Sequence, residues 1–343
     1  MLKREDLLKK PVKDINLKPG MRVSELVVEF RKIGGFMAKN LATAASIFEE
    51  MIKDEKCTIF LSFTANIIAT GLRSVITALI KYGFIDVIVT TGGSIDHDIA
   101  RSCGGVYYQG EFNYDDIMLR DLEIHRLGNV LVPMESYGLV IERFTLKALE
   151  ELCKIKSEWT VSELLYEIGK RINREDSFLF QAYKRGVPVF SPGIVDSSFG
   201  TNIMSFIELG RSRGYRFKLD IVSDLKRIYE IVMSSNKIGA LIIGGGISKH
   251  HVIWWSQFKG GLDYAIYITT AVEWDGSLSG AQPREAISWN KIKPRAKHVV
   301  VYGDATIILP VIVLYAIDRL KEEGINERKN SSAIKGVFND IGH

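Results

Sequence analysis

From residue 57 onward, short runs of β-branched and aliphatic residues alternate with polar, glycine-bearing turns and with stretches whose apolar positions recur at helical spacing. The runs fall at 58–61, 86–89, 129–132, 187–190, 240–243, 264–268 and 298–302. Helical spacing occupies 72–82, 144–155, 161–172 and 220–234, and Thr160 with Glu163 forms a capping box at the start of the third. Strands alternating with helices predict an α/β fold: a largely parallel, Rossmann-like sheet with helices on both faces. Ahead of this pattern, Leu26, Val27, Phe30 and Ile33, then Leu41, Ala44, Phe48 and Met51, predict two helices parted by Gly34-Gly35. Residues 1–20 read as a charged N-terminal helical arm, 21–320 as a single α/β domain, and 321–343 as a polar tail expected to fray. The apolar run at 305–317 is too short to span a bilayer and contains Pro310, so it predicts a buried helix.

Composition excludes more than it assigns. The 46% hydrophobic and 25% charged residues are those of an ordinary soluble globular protein, and a net charge of +4 argues for neither nucleic acid nor membrane. Cys57, Cys103 and Cys153 are far apart and form no CxxC or Cys/His spacing. That speaks against a disulfide framework and a structural zinc and fits reduced thiols in a cytoplasm. The first 20 residues lack the apolar centre of a signal peptide.

Candidate chemistry gathers where the apolar runs end. In parallel sheets, ligands lie at the carboxyl ends of the strands, and here those ends carry Ser, Thr, Asn, Gly and Asp repeatedly. Gly244-Gly245-Gly246 follows one run. Such a turn lets backbone N–H groups approach a phosphate, although the spacing is not GxGxxG and a ligand-free strand-to-helix turn is the plain alternative. Thr91-Gly92-Gly93 makes the same offer. His250 and His251 are adjacent and point about 100° apart on a helix, so one can act in a cleft while the other packs, and the pair does not hold a metal. Lys291 lies two residues after Trp289 and six after Glu285. An aromatic wall desolvates a lysine and frees its amine as a nucleophile, or the indole holds a ligand cation; a surface lysine is the alternative. Asp196, Asp275 and Asp304 each follow a strand and can take ribose hydroxyls, take ligand cations or cap helices.

Taken together, the loops resemble the deoxyhypusine synthase family. The resemblance rests on Thr64-Ala65-Asn66, Thr90-Thr91-Gly92-Gly93, Arg126-Leu127-Gly128-Asn129 and Phe190-Ser191-Pro192 with Asp196. It is strongest at Gly244-Gly245-Gly246 with Lys249-His250-His251, at Asp275-Gly276-Ser277, at Ser288-Trp289-Asn290-Lys291-Ile292 and at Tyr302-Gly303-Asp304-Ala305. It implies an NAD-dependent transferase that oxidises spermidine, passes its aminobutyl group to an enzyme lysine as an imine, and delivers it to one lysine of a translation initiation factor 5A precursor. By the same resemblance Lys291 carries the imine and His250 moves protons. Glu285 and Trp289, with Asp275 and Gly276, hold the substrate. Asn66, Thr91, Gly92, Asp196, Gly244, Gly245, Thr270, Asp275, Ser279 and Asp304 hold NAD. A homotetramer, with the arm covering a neighbour's entrance, is also implied.

Three positions depart from the family pattern. Thr201 and Leu278 stand where many members carry an acid that holds the polyamine, and His97, flanked by Asp96 and Asp98, stands where many carry a glutamate near NAD. Fewer carboxylates around a cation weaken its binding. Two other readings therefore stay open. One is a related aminobutyltransferase making homospermidine. The other is a non-catalytic NAD-binding subunit, which would have no physical need to retain Lys291, His250, Glu285 and Trp289 together.

Overall fold

The computed structural model describes residues 3–338. Six strands form a parallel central sheet: β1 (Cys57–Ser62), β2 (Val87–Val89), β3 (Val189–Phe190), β4 (Lys237–Ile243), β5 (Leu262–Thr269) and β6 (Ile292–Tyr302). Their order across the sheet is β6-β5-β4-β1-β2-β3. Every residue of β1 is buried, as expected of a central strand covered by helices on both faces. The chain lays β2 and β3 on one side of β1 and then returns to place β4 on the other. That reversal opens a crevice between the carboxyl ends of β1 and β4, the place where open α/β sheets bind ligands.

The helices used below are α1 (Val23–Ile33), α2 (Phe36–Lys53), α3 (Gly92–Ser102), α4 (Ser198–Gly210), α5 (Ile247–Ser256), α6 (Pro283–Ser288) and α7 (Ala305–Glu322). Helices α1 and α2 are parted where the glycine pair predicted, with Gly34 in the left-handed region at φ 62°. Both pack on α7. The apolar run around Pro310 lies within α7, which buries Ile308, Leu309, Ile312 and Val313. No helix among the described residues is long and apolar enough to cross a membrane. The capping box is present: Thr160 N donates to Glu163 Oε2 at 3.1 Å and Glu163 N donates to Thr160 Oγ1 at 3.3 Å. Among the described residues of the arm the only regular element is the short helix Arg4–Leu7.

Two expectations need correction. The run at 129–132 is not a strand of the main sheet. Ile124–Leu127 and Val130–Pro133 pair antiparallel across Gly128 and Asn129, with Gly128 at φ 61°, and Tyr108–Gln109 completes a separate three-stranded ribbon. A two-residue connection leaves no room for the crossover that a parallel neighbour requires, and this was readable from the Gly-Asn pair. The tail beyond residue 321 also does not simply fray. Arg328 and Ser331 are buried under the amino-terminal ends of β1 and β2, bound to the carboxylate of Asp86. Residues 339–343 lie outside the described part.

Candidate active site

The crevice predicted by strand order is a cleft of about 530 Å³, within the usual range for small-molecule sites. Asn66 from the β1 turn, Gly244 and Gly245 from the β4 turn, Thr270 after β5, and Asp304 after β6 line it, with Ser279 from the loop before α6. Gly244 and Gly246 are left-handed at φ 76° and 72°, which favours glycine. Gly245 is required for another reason: a Cβ there would stand 2.1 Å from Ser279 Oγ. The turn leads directly into α5, whose amino-terminal N–H groups and positive end face the same region. Asp304 is committed in part, since its Oδ1 accepts from Thr306 N at 2.8 Å and caps α7.

A second cavity of about 200 Å³ contains Lys291, Glu285, Trp289, Tyr267 and Leu278 in its walls. Lys291 follows the short helix α6, after Asn290 in the left-handed region at φ 55°. Its side chain is only 9% exposed, and Nζ lies 5.3 Å from the centre of the Trp289 ring. The aromatic wall expected beside this lysine is thus in place. The hydroxyl of Tyr267 is buried with no hydrogen-bond partner among the described residues, leaving a polar atom for a ligand. His250 is half-buried on α5, and burial, then the charge of Lys291, hold its imidazole below its ordinary value. His251 points elsewhere, into a small cavity with Phe190, Pro192 and Leu225, and burial pushes it down to about 4. His250 is thus within electrostatic reach of Lys291, while His251 packs.

Lys249 lies in the wall of the amine cavity and had no assigned role in the sequence reading. It is 1% exposed; Nζ donates to the carbonyls of Leu278 at 2.7 Å and Ala281 at 2.9 Å and lies 4.1 Å over the Tyr267 ring. Burial lowers it to about 8, against the opposing pull of Glu285. Its two hydrogen bonds hold the loop that presses Ser279 onto Gly245. An isolated buried lysine gives no pattern in sequence, so only the fold reveals it.

Not all expected site residues meet in these cavities. Thr91, Gly92 and Asp196 are not in the walls of the glycine cleft. They lie by the carboxyl ends of β2 and β3, where a Cβ on Gly92 would stand 2.5 Å from that of Ser197, so close loop packing accounts for this glycine. Asp275 and Gly276 are exposed on the loop before Ser279, with Asp275 Oδ1 accepting from Ser277 N at 2.7 Å. Asp96 and Asp98 do not compensate for His97. Asp96 caps α4 through Ser198 N and Phe199 N, and Asp98 is buried against Ser177, Leu179 N and Arg73. His97 itself bonds Tyr107 through Nδ1 at 2.8 Å and is pushed by burial down to about 4. Thr201 is exposed and bonds back to Ser197 O at 3.0 Å.

Comparison with known proteins decides the family. The deoxyhypusine synthase family profile matches residues 25–316. A relative from Sulfurisphaera tokodaii described as "probable deoxyhypusine synthase" is 57% identical over 311 residues, covering 91% of this chain and 98% of its own. The chain belongs to the deoxyhypusine synthase family. A second relative of the same description, from Sulfolobus acidocaldarius, is 52% identical over 311 residues with the same coverage. An Entamoeba histolytica structure described under the same enzyme name aligns over 92% of this chain and 98% of its own, with a TM-score of 0.60 and 25% identity. Membership makes the chain one of a family of transferases of hypusine biosynthesis.

Proposed function

We propose that this chain is a deoxyhypusine synthase that moves the aminobutyl group of spermidine, by way of an imine on Lys291, to a lysine of a translation initiation factor 5A precursor. One observation carries the reading: a lysine only 9% exposed, at a tryptophan wall, in a cavity beside a glycine-lined cleft at the sheet's switch point. The glycine cleft fits NAD because Gly244, Gly245 and Gly246 line it with backbone alone, and Asn66, Thr270, Ser279 and Asp304 offer polar atoms at its edge. NAD, when bound, supplies acceptance and return of a hydride. Thr91, Gly92, Asp196 and Asp275 are proposed to contribute from the loops around the cleft.

The side chains of the second cavity have separable tasks. Glu285 and the face of Trp289 hold an ammonium of spermidine, with Asp275 and Gly276 shaping the approach. His250, held neutral by its surroundings, takes the proton from the secondary nitrogen of the substrate as its imine forms. Lys291, as free amine, then attacks the imine carbon. We place the protein in the cytoplasm as a homotetramer whose arm reaches a neighbouring entrance. The division into arm, domain and tail is part of this proposal.

The direct test is an imine trap. Purified protein is incubated with NAD and spermidine, reduced with borohydride, and mapped by peptide mass. An aminobutyl adduct on Lys291 is expected. No adduct, with NAD bound normally, sinks the reading. Adding the precursor protein in one arm and putrescine in another decides whether the acceptor is a protein lysine or a free amine.

Leu278 sets a second expectation. It stands in the wall of the amine cavity, where Glu285 is the sole carboxylate among the described residues. Leu278→Asp is expected to lower the KM for spermidine about tenfold with little change in kcat, the size of one charge-assisted hydrogen bond. An unchanged KM would mean that the position does not face the polyamine.

A further inference from the structure

Two indole faces, not one, approach the nitrogen of Lys291. Trp289 precedes it by two residues and belongs to the same turn. Trp254 comes from α5, one helical turn after His250, and its ring centre lies 5.6 Å from Nζ, against 5.3 Å for Trp289. The Trp254 ring is held in place from two directions. It stacks on His250 at 5.6 Å with 26° between the planes, and meets Phe258 edge-on at 6.4 Å. Yet it remains 41% exposed, so burial in the core does not account for it. An indole face within about 6 Å of a cation attracts it through the ring quadrupole, and more strongly where water is excluded.

We propose that Trp254 is a further catalytic residue, which with Trp289 stabilises the protonated imine carried by Lys291. The inference rests on the reading of Lys291 given above. In the step concerned, the Lys291 amine adds to the carbon of the substrate imine, and a new C–N bond forms. The old C–N bond then breaks, and the departing diamine leaves with a proton. What stays on the enzyme is Nζ doubly bonded to the aminobutyl carbon and protonated. Nothing is oxidised or reduced in this exchange. The acceptor amine then repeats it in the opposite sense and releases Lys291 as amine. Only the protonated imine is electrophilic enough for that second attack. The two faces act on the cation once it has formed, so the assistance falls on consumption of the imine. His250 and Glu285 are the titratable neighbours on α5 and α6, and Lys249 shares the cavity with Lys291.

The test compares Trp254→Leu, which removes the face but keeps an apolar side chain, with Trp254→Phe, which keeps a weaker face. Both are checked for an unchanged thermal midpoint. Single-turnover transfer from the preformed adduct to the precursor protein is followed across pH, with the borohydride trap reporting the adduct itself. In Trp254→Leu the adduct still forms on Lys291, while its transfer slows about tenfold and the alkaline limb of that step moves to lower pH. Trp254→Phe stays within about threefold of the wild type. Wild-type transfer and an unmoved limb in Trp254→Leu would overturn the proposal. So would equal loss in both variants with the limb unmoved, which marks a packing role. A wild type that gives no adduct would overturn the Lys291 reading, and this one with it. An adduct in the wild type together with an indifferent Trp254→Leu overturns this one alone.

Discussion

Replacing Lys291 with alanine is expected to remove aminobutyl transfer by at least about a thousandfold while leaving NAD binding intact, because Lys249, the other amine of the cavity, is tied to the carbonyls of Leu278 and Ala281 and does not take its place in the covalent route. The two effects separate because no residue of the amine cavity also lines the glycine cleft. Folding should survive, since the hydrogen bonds of Lys291 among the described residues are backbone ones, Lys291 N to Ala286 O at 3.0 Å and Leu262 N to Lys291 O at 3.1 Å, which alanine keeps. Lys291→Arg sharpens the test. It keeps length and charge, but a guanidinium does not deprotonate and cannot attack an imine, so it should be as inactive as alanine. NAD titration by calorimetry beside a transfer assay is the measurement. Residual transfer in either variant, or lost NAD affinity, would contradict the assignment.

The parts of the fold that were legible in the sequence are those written in local patterns. Apolar runs followed by glycine and hydroxyl turns gave six of the strands, and Gly34-Gly35 and Thr160 with Glu163 marked helix ends that the structure contains. Gly244 and Gly246 were legible for the same reason: a turn's need for glycine depends on its own backbone. Lys249, Trp254 and Asp96 were not. The value of each depends on what another segment brings to it, namely the carbonyls of Leu278 and Ala281, the amine of Lys291, and the amino end of α4. Gly92 illustrates the ambiguity from the other side. The sequence offers it as a phosphate turn, whereas in the fold Ser197 occupies the space its Cβ would need. A glycine pattern alone does not distinguish a ligand from a neighbouring loop.

The tail provides the largest expected effect on stability. Asp86 is fully buried, and its carboxylate accepts from Arg328 Nη1 at 2.9 and 3.1 Å, from Ile59 N at 2.8 Å and from Ser331 N at 2.6 Å. Arg328 also donates to the carbonyl of Cys57. The pair fastens the chain after α7 beneath the sheet's central strands. Arg328→Met leaves a buried carboxylate without its cation, which is expected to cost about 3–5 kcal/mol in a denaturant titration. The pH dependence follows from the direction of the Asp86 shift. Burial holds this carboxyl above its ordinary range, and Arg328 beside it pulls the other way. A carboxyl raised in the fold takes up its proton more readily folded than unfolded, so its contribution is fullest at low pH and is lost as pH rises through the folded value. Without Arg328 the carboxyl rises further, and the variant's deficit should therefore be smaller near pH 5 than near pH 8. Arg328→Met combined with Asp86→Asn should recover part of the loss and abolish its pH dependence. A deficit that is the same at both pH values, or absent, would mean that the tail is held by its apolar contacts, and that the buried pair is not what fastens it.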